Sequence, residues 1–238
     1  MTTNPYINYA TPLPGARPDA RDVGALIEAF RERGLIPRLE FAPDRAPAAE
    51  PALREAGFRT EAVHEYLICT PDTLAVPLLA GGSGCGADGT AQPLGPVETP
   101  ATDHDYAVID AALSEAFDGE FPPSREGADR LRRTQENGGA VRFVRAPDGD
   151  CAGAGSCSAT AAGLSELAGV GTRTAFRGRG IAASVTAALT EAMFTQGADA
   201  VWLEYSGEGS RRVYERVGYR CGGTRLYLRR EAPGTPDA

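Results

Sequence analysis

The chain has 238 residues, 42% hydrophobic and 24% charged, with a formal net charge of −8. That length suffices for one large domain or two small ones, and the acidity argues against general nucleic-acid binding, which needs a basic surface. No apolar run approaches the roughly 18–20 residues of a membrane span, and Met1–Pro5 has neither region of a signal peptide, so a cytoplasmic location is expected.

The first periodic segment is Ala25–Ala29, a helix closed at Gly34. A strand follows at Leu39–Phe41, then Gly57-Phe58 and a further strand carrying Tyr66. From about Ala80 to Thr102 the chain is rich in Gly and Pro and has no apolar period, which reads as a linker or long surface loop. Beyond it Val97–Thr99 forms a short strand. Val108, Ile109, Ala112, Leu113, Ala116 and Phe117 recur at helical spacing, with Thr102 or Asp103 as cap. Ser124 caps a second, more polar helix running through Arg133. Ala140–Arg145 is a half-buried strand, Ala146–Asp150 a hairpin turn, and Cys151–Ser158 its partner. Leu164–Thr172 is a fourth strand. Arg177–Gly180 opens a helix whose apolar face is Ile181, Val185, Leu189 and Met193, closed at Gly197. A strand at Val201–Tyr205, a helix at Ser210–Val217 and a strand at Tyr219–Arg229 end a mixed α/β fold of order β-α-α-β-β-β-α-β-α-β.

The two parts share a pattern. Ala25–Ala29 with Gly34 matches Ala188–Ala192 with Gly197, and Leu39–Phe41 matches Leu203–Tyr205. Gly57-Phe58 matches Gly218-Tyr219, and Tyr66 follows at the same interval as Tyr227. Four matches in one order predict a duplicated helix-strand-helix-strand unit.

Of the five cysteines none forms a C-x-x-C pair, and His64 and His104 lie at no metal-ligand spacing from them, so no metal is expected. Cys151 and Cys157 either face each other in a hairpin or are buried free thiols. The chemistry concentrates between Val170 and Ala182, where a strand runs through a basic, Gly-rich turn straight into a helix. The first turn of a helix offers unpaired N–H groups and partial positive charge to a phosphate. Gly178 and Gly180 open the approach, and Arg177 and Arg179 add charged donors at the rim. The turn is neither a Walker loop nor a dinucleotide fingerprint.

This segment resembles motif A of the GNAT acetyltransferases, [Q/R]-x-x-G-x-[G/A], with Arg177, Gly180 and Ala182 at the fixed positions. Arg212–Tyr219 resembles the same family's Y-E-K-x-G-F signature. The resemblance covers about Val97 to Glu231. It implies a GNAT acyl-CoA acyltransferase fold preceded by a partial pseudo-repeat: residues 1–80 a degenerate, catalytically silent half domain, 81–96 a linker, 97–232 the catalytic domain. It implies acetyl-CoA as co-substrate, held by Arg177, Gly178, Arg179, Gly180, Ile181 and Ala182, with its pantetheine arm along Val170, Gly171 and Thr172. Backbone N–H groups near those three residues would polarise the thioester. Tyr214 would protonate the leaving thiolate, or only pack against the coenzyme. Glu166 and Glu204 are the carboxylates nearest the expected site, as base through water or as solvated strand residues.

Two positions depart from the family's pattern, with Thr174 and Gly207 where it often carries Pro and Asn. The acceptor implied is the amine of a small molecule, in a bacterial enzyme that is a monomer or homodimer. Specificity would come from Tyr106–Asn137 and the Ser206–Gly209 loop, neither of which spells a ligand. Other acyl donors, including aminoacyl-tRNA, and a non-catalytic acyl-CoA-binding module are the alternatives.

Overall fold

The computed structural model describes residues 8–75, 94–119 and 122–231. The expected linker at 81–96 falls mostly outside them. The chain forms two compact units, residues 1–66 with 222–238, and residues 67–221.

The first unit holds helix α1 (Ala20–Arg31), strand β1 (Arg38–Phe41), helix α2 (Ala49–Glu55), most of strand β2 (Arg59–Cys69) and most of the last strand, β8 (Arg220–Arg229). The α-β-α-β order expected from the repeat is present. Strand order is β1-β8-β2, and β1 pairs antiparallel with β8 from Arg38↔Arg229 to Phe41↔Leu226. Val23, Ile27, Leu39, Phe41, Leu53, Phe58, Leu226 and Leu228 close a core of their own. Arg225 pairs with Glu40 beside it at 2.8 Å.

The second unit contains β3 (Val97–Glu98), α3 (Asp103–Ala116), α4 (Arg125–Glu136), β4 (Ala140–Arg145), β5 (Cys151–Cys157), β6 (Leu164–Thr172), α5 (Ile181–Thr195), β7 (Ala200–Glu204) and α6 (Gly207–Arg216). With β8 this is the element order read from the sequence. The strands run β7-β6-β5-β4-β3, antiparallel except for the parallel pair β6–β7. Helix α5 packs through Ile181, Val185, Leu189 and Met193, each at most 1% exposed, in one core cluster with Val144, Leu167, Val201 and Leu203. A second cluster joins Tyr106, Ile109 and Ala112 of α3 and Leu131 of α4 to Val141, Phe143, Cys151 and Ala154.

Local signals explain the boundaries. Thr102 accepts a bond from Asp105 N–H, while the Asp105 carboxylate takes the Thr102 N–H, a complete capping box. Ser124 caps α4 through Gly127 N–H. Gly197, at φ +91°, ends α5 in the left-handed region.

One alternative is settled and one expectation needs correction. Cys151 and Cys157 are the two ends of β5, registered with Arg145 and Ala140, so the buried-thiol reading holds and the facing pair does not. Both are buried free thiols, pushed up to about 12 by desolvation. Residues 207–209 are the first turn of α6 rather than a loop, with Glu208 placed to favour a helix N-terminus.

Candidate active site

The decisive local feature is a break in β6. Its parallel pairing with β7 is Leu164↔Ala200, Ser165↔Val201 and Glu166↔Trp202, although β6 continues to Thr172. Against β5 the register shifts between Ala154↔Gly171 and Ser156↔Ala168. Gly169 and Val170 thus oppose Gly155 alone, and Gly169 takes φ +63°. An extra residue in one strand flips the faces of everything beyond it. Before the bulge Leu167 belongs to the α5 core. After it Val170 packs against that core, and Gly171 turns toward α3, where an added Cβ would meet Ala116 and Leu113 at 2.8 and 3.0 Å.

Past Thr172 the chain makes a single 3-10 turn at Thr174–Phe176 and enters α5 through Gly178 and Gly180, at φ +76° and +82°. Both conformations favour glycine, and nothing lies within 4 Å of where their Cβ atoms would stand. No side chain caps α5, and its first turn begins with Ser184 N–H on the Gly180 carbonyl at 3.0 Å. The N–H groups of Ile181, Ala182 and Ala183, in that first turn, have no acceptor within the helix, and the two glycines before them leave the approach clear. The Thr172 hydroxyl beside this entrance is buried with no hydrogen-bond partner.

The arginines of the turn are partly engaged. Arg177 reaches back to the carbonyls of Thr172 and Ala116 at 3.3 and 3.4 Å. Arg179 lies 5.9 Å over the Phe176 ring, whose other cationic neighbour, Arg173, pairs with Glu115 at 2.8 Å.

Tyr214, on α6, is 8% exposed in the same cluster as Ile181, with Val170 packed against it. Its ring meets Tyr219 edge-on at 6.0 Å, and burial raises its phenol to about 12, so it stays protonated at neutral pH. Glu166 and Glu204 occupy the other parity of β6 and β7, half-exposed, alternating with the buried Ser165, Leu167, Val201 and Leu203. The structure therefore gathers Tyr214, Val170 and Ile181 in one cluster and sets the two carboxylates on the opposite strand parity.

The sequence reading missed a cavity of about 340 Å³ between α3, α4 and the bulge, lined by residues including Asp110, Ser114, Phe117, Arg130, Ser156, Ala168 and Gly169. A glycine inside the β6 pattern was the available signal, since such glycines mark bulges. Among the described residues no group of three or more His, Cys, Asp or Glu could hold a metal ion, and no described helix is long and apolar enough to cross a membrane.

Residues 108–219 match the family model of the acetyltransferase (GNAT) family. A GCN5-related N-acetyltransferase from Kribbella flavida is similar over 93% of this chain and 79% of its own, at 25% identity and a TM-score of 0.69. One from Sphaerobacter thermophilus aligns over 90% and 70%, at 19% identity and a TM-score of 0.58. A tandem GNAT protein of the clavulanic acid biosynthesis pathway aligns over 94% and 73%, at 15% identity and a TM-score of 0.61. No curated protein sequence matches the chain. The interrupted strand and the uncapped helix both lie inside residues 108–219, the segment that matches this family model, and the fold around them is the GNAT acyltransferase fold.

Proposed function

We propose that the chain is an acetyl-CoA-dependent N-acetyltransferase that modifies the amine of a small molecule by direct attack in a ternary complex. The observation that carries this reading is the open N-terminus of α5 beside the bulged end of β6. The residues present fit the coenzyme: uncapped N–H groups at Ile181–Ala183 and the clear approach at Gly178 and Gly180 suit a pyrophosphate. The orphaned Thr172 hydroxyl suits the polar pantetheine arm along Val170–Thr172.

Bound acetyl-CoA supplies an activated thioester. The neutral amine forms the new C–N bond as the C–S bond breaks. Backbone N–H groups of Val170, Gly171 and Thr172 polarise the carbonyl, and Tyr214 gives its phenolic proton to the departing sulfur. The amine's surplus proton leaves through Glu166 or Glu204, by way of water. In this reading residues 97–232 are the catalytic domain and residues 1–80 a degenerate, silent copy of its C-terminal half, which the tandem GNAT likeness supports. A cytoplasmic location belongs to the same reading.

Calorimetric titration with acetyl-CoA tests it. Micromolar affinity, lost in an Arg177→Ala, Gly180→Glu double variant, supports the coenzyme site. Absence of binding at millimolar acetyl-CoA sinks it and turns attention to another acyl donor or a silent scaffold.

A further inference from the structure

The cavity beside the β6 bulge carries two opposite charges that do not neutralise each other. Asp110 projects from α3 and Arg130 from α4, and both line it. The Asp110 carboxylate accepts one backbone bond, from Ser124 N–H at 2.8 Å, and pairs with no described cation. The Arg130 guanidinium pairs with no described residue, whereas Arg132 on the same helix is held by Asp129 at 2.6 Å. The rest of the lining is mostly carbon, from Leu113, Phe117, Leu131 and Ala168, with the hydroxyl residues Ser114 and Ser156, and at the bulge it reaches Gly169. Phe117 is 42% exposed.

We propose that the acceptor is a small zwitterion, an amino acid with an apolar side chain, whose carboxylate lies on Arg130 and whose ammonium is drawn in by Asp110. This rests on the acetyltransferase reading above. A lone aspartate would accept any amine, and a lone arginine any anion. Separately uncompensated charges on facing helices complement a ligand that carries both, and the guanidinium fork matches a carboxylate in two parallel bonds. The volume, about 340 Å³, is at the lower end of small-molecule sites and suits a ligand of amino-acid size. The bulge places this cavity against the stretch of β6 where the thioester would sit.

The test is thiol release from acetyl-CoA with three acceptor sets: apolar amino acids, their carboxamides, and alkylamines. The wild-type chain should favour the amino acids in kcat/KM by about ten- to a hundred-fold. Arg130→Gln, at an exposed position, should remove that preference through KM and leave the carboxamides unchanged. Asp110→Asn should weaken all three sets. Carboxamides or alkylamines used as well as amino acids, no turnover in any set, or an Arg130→Gln loss shared equally by amino acids and carboxamides would overturn the proposal. Acetyl-CoA titration separates the two failures: binding with the wrong acceptors refutes only the zwitterion, and no binding refutes both readings.

Discussion

The segments 20–69 and 181–229 share element order and glycine placement, and they differ at the helix start where a phosphate would bind. Both first helices end alike: Gly34 N–H and Leu35 N–H return to Arg31 and Phe30, as Gly197 N–H and Ala198 N–H return to Phe194 and Met193. Both second helices end alike too, with Gly57 and Phe58 bonded to Arg54 and Leu53, and Gly218 and Tyr219 to Glu215 and Tyr214. The beginnings diverge. Asp19 closes α1 with a complete capping box, its carboxylate taking the N–H groups of Arg21 and Asp22, whereas α5 starts on Gly180 with no cap. A carboxylate at a helix start satisfies the donors and neutralises the dipole that an anion would otherwise use. Leu53 stands where the second segment has Tyr214. Under the proposed function, the first segment would share the scaffold without the open helix start and the tyrosine that the chemistry needs.

The largest expected effect is at that last position. Tyr214→Phe should lower kcat by about 10²–10³-fold at unchanged acetyl-CoA affinity, and equal loss of affinity would make Tyr214 a packing residue. Because burial holds the phenol near 12, Tyr214 should set no alkaline limb in the rate profile below about pH 10. Its contribution to stability should instead fade as pH rises from the unfolded value near 10 toward 12.

Gly180→Asp would set a carboxylate at the open start of α5, at some cost in left-handed strain. Acetyl-CoA affinity should fall by about a hundred-fold with the fold intact, read by calorimetry beside circular dichroism. Unchanged affinity would separate the helix start from the coenzyme.

The equivalent glycines before β2 and β8 should respond unequally. At Gly218 an added Cβ would collide with the Thr73 carbonyl, while at Gly57 its nearest neighbour is Arg230 Nε at 3.7 Å. In denaturant unfolding Gly218→Ala should cost about 3 kcal/mol and Gly57→Ala about 1, the latter from left-handed strain alone. Equal costs would contradict the packing described.

The capping boxes give the smallest effect. In α3 the box carboxylate is buried, and Asp105 also accepts from Arg145 at 2.9 Å. Burial alone would raise its pKa, but the bonds from Arg145 and the Ala101 and Thr102 N–H groups outweigh that and hold it well below the usual carboxylate range. That stability is present above about pH 4 and lost as pH falls below it toward the depressed folded value. Asp105→Asn should cost about 2 kcal/mol, against about 0.5 for Asp22→Asn in the exposed box of α1.

Much of this was legible in the sequence because its signals are local. The 181-185-189-193 stripe, the Thr102 and Ser124 caps and the glycine stops each depend on neighbours within a turn or two. The β6 bulge was hidden because register is set by the opposing strand: nothing in Ala168-Gly169-Val170 says that Gly155 will face two residues. The charges lining the cavity were hidden likewise, since Asp110 and Arg130 become neighbours only when α3 and α4 pack.

The glycines of β5 have a thermodynamic consequence for the site. Added carbons at Gly153 and Gly155 would meet Ile181 Cγ2 and Leu189 Cδ1 of α5 at 2.8 and 3.2 Å, beside Gly171 O and Val170 Cγ2 of β6 at 2.8 and 2.9 Å, so the helix is seated closely against the sheet. A helix end fixed in this way has little orientational freedom left to lose when an anion arrives. The entropy of aiming those N–H groups is spent in folding, so association should show a small entropic penalty that grows if Gly155→Ala lifts the helix.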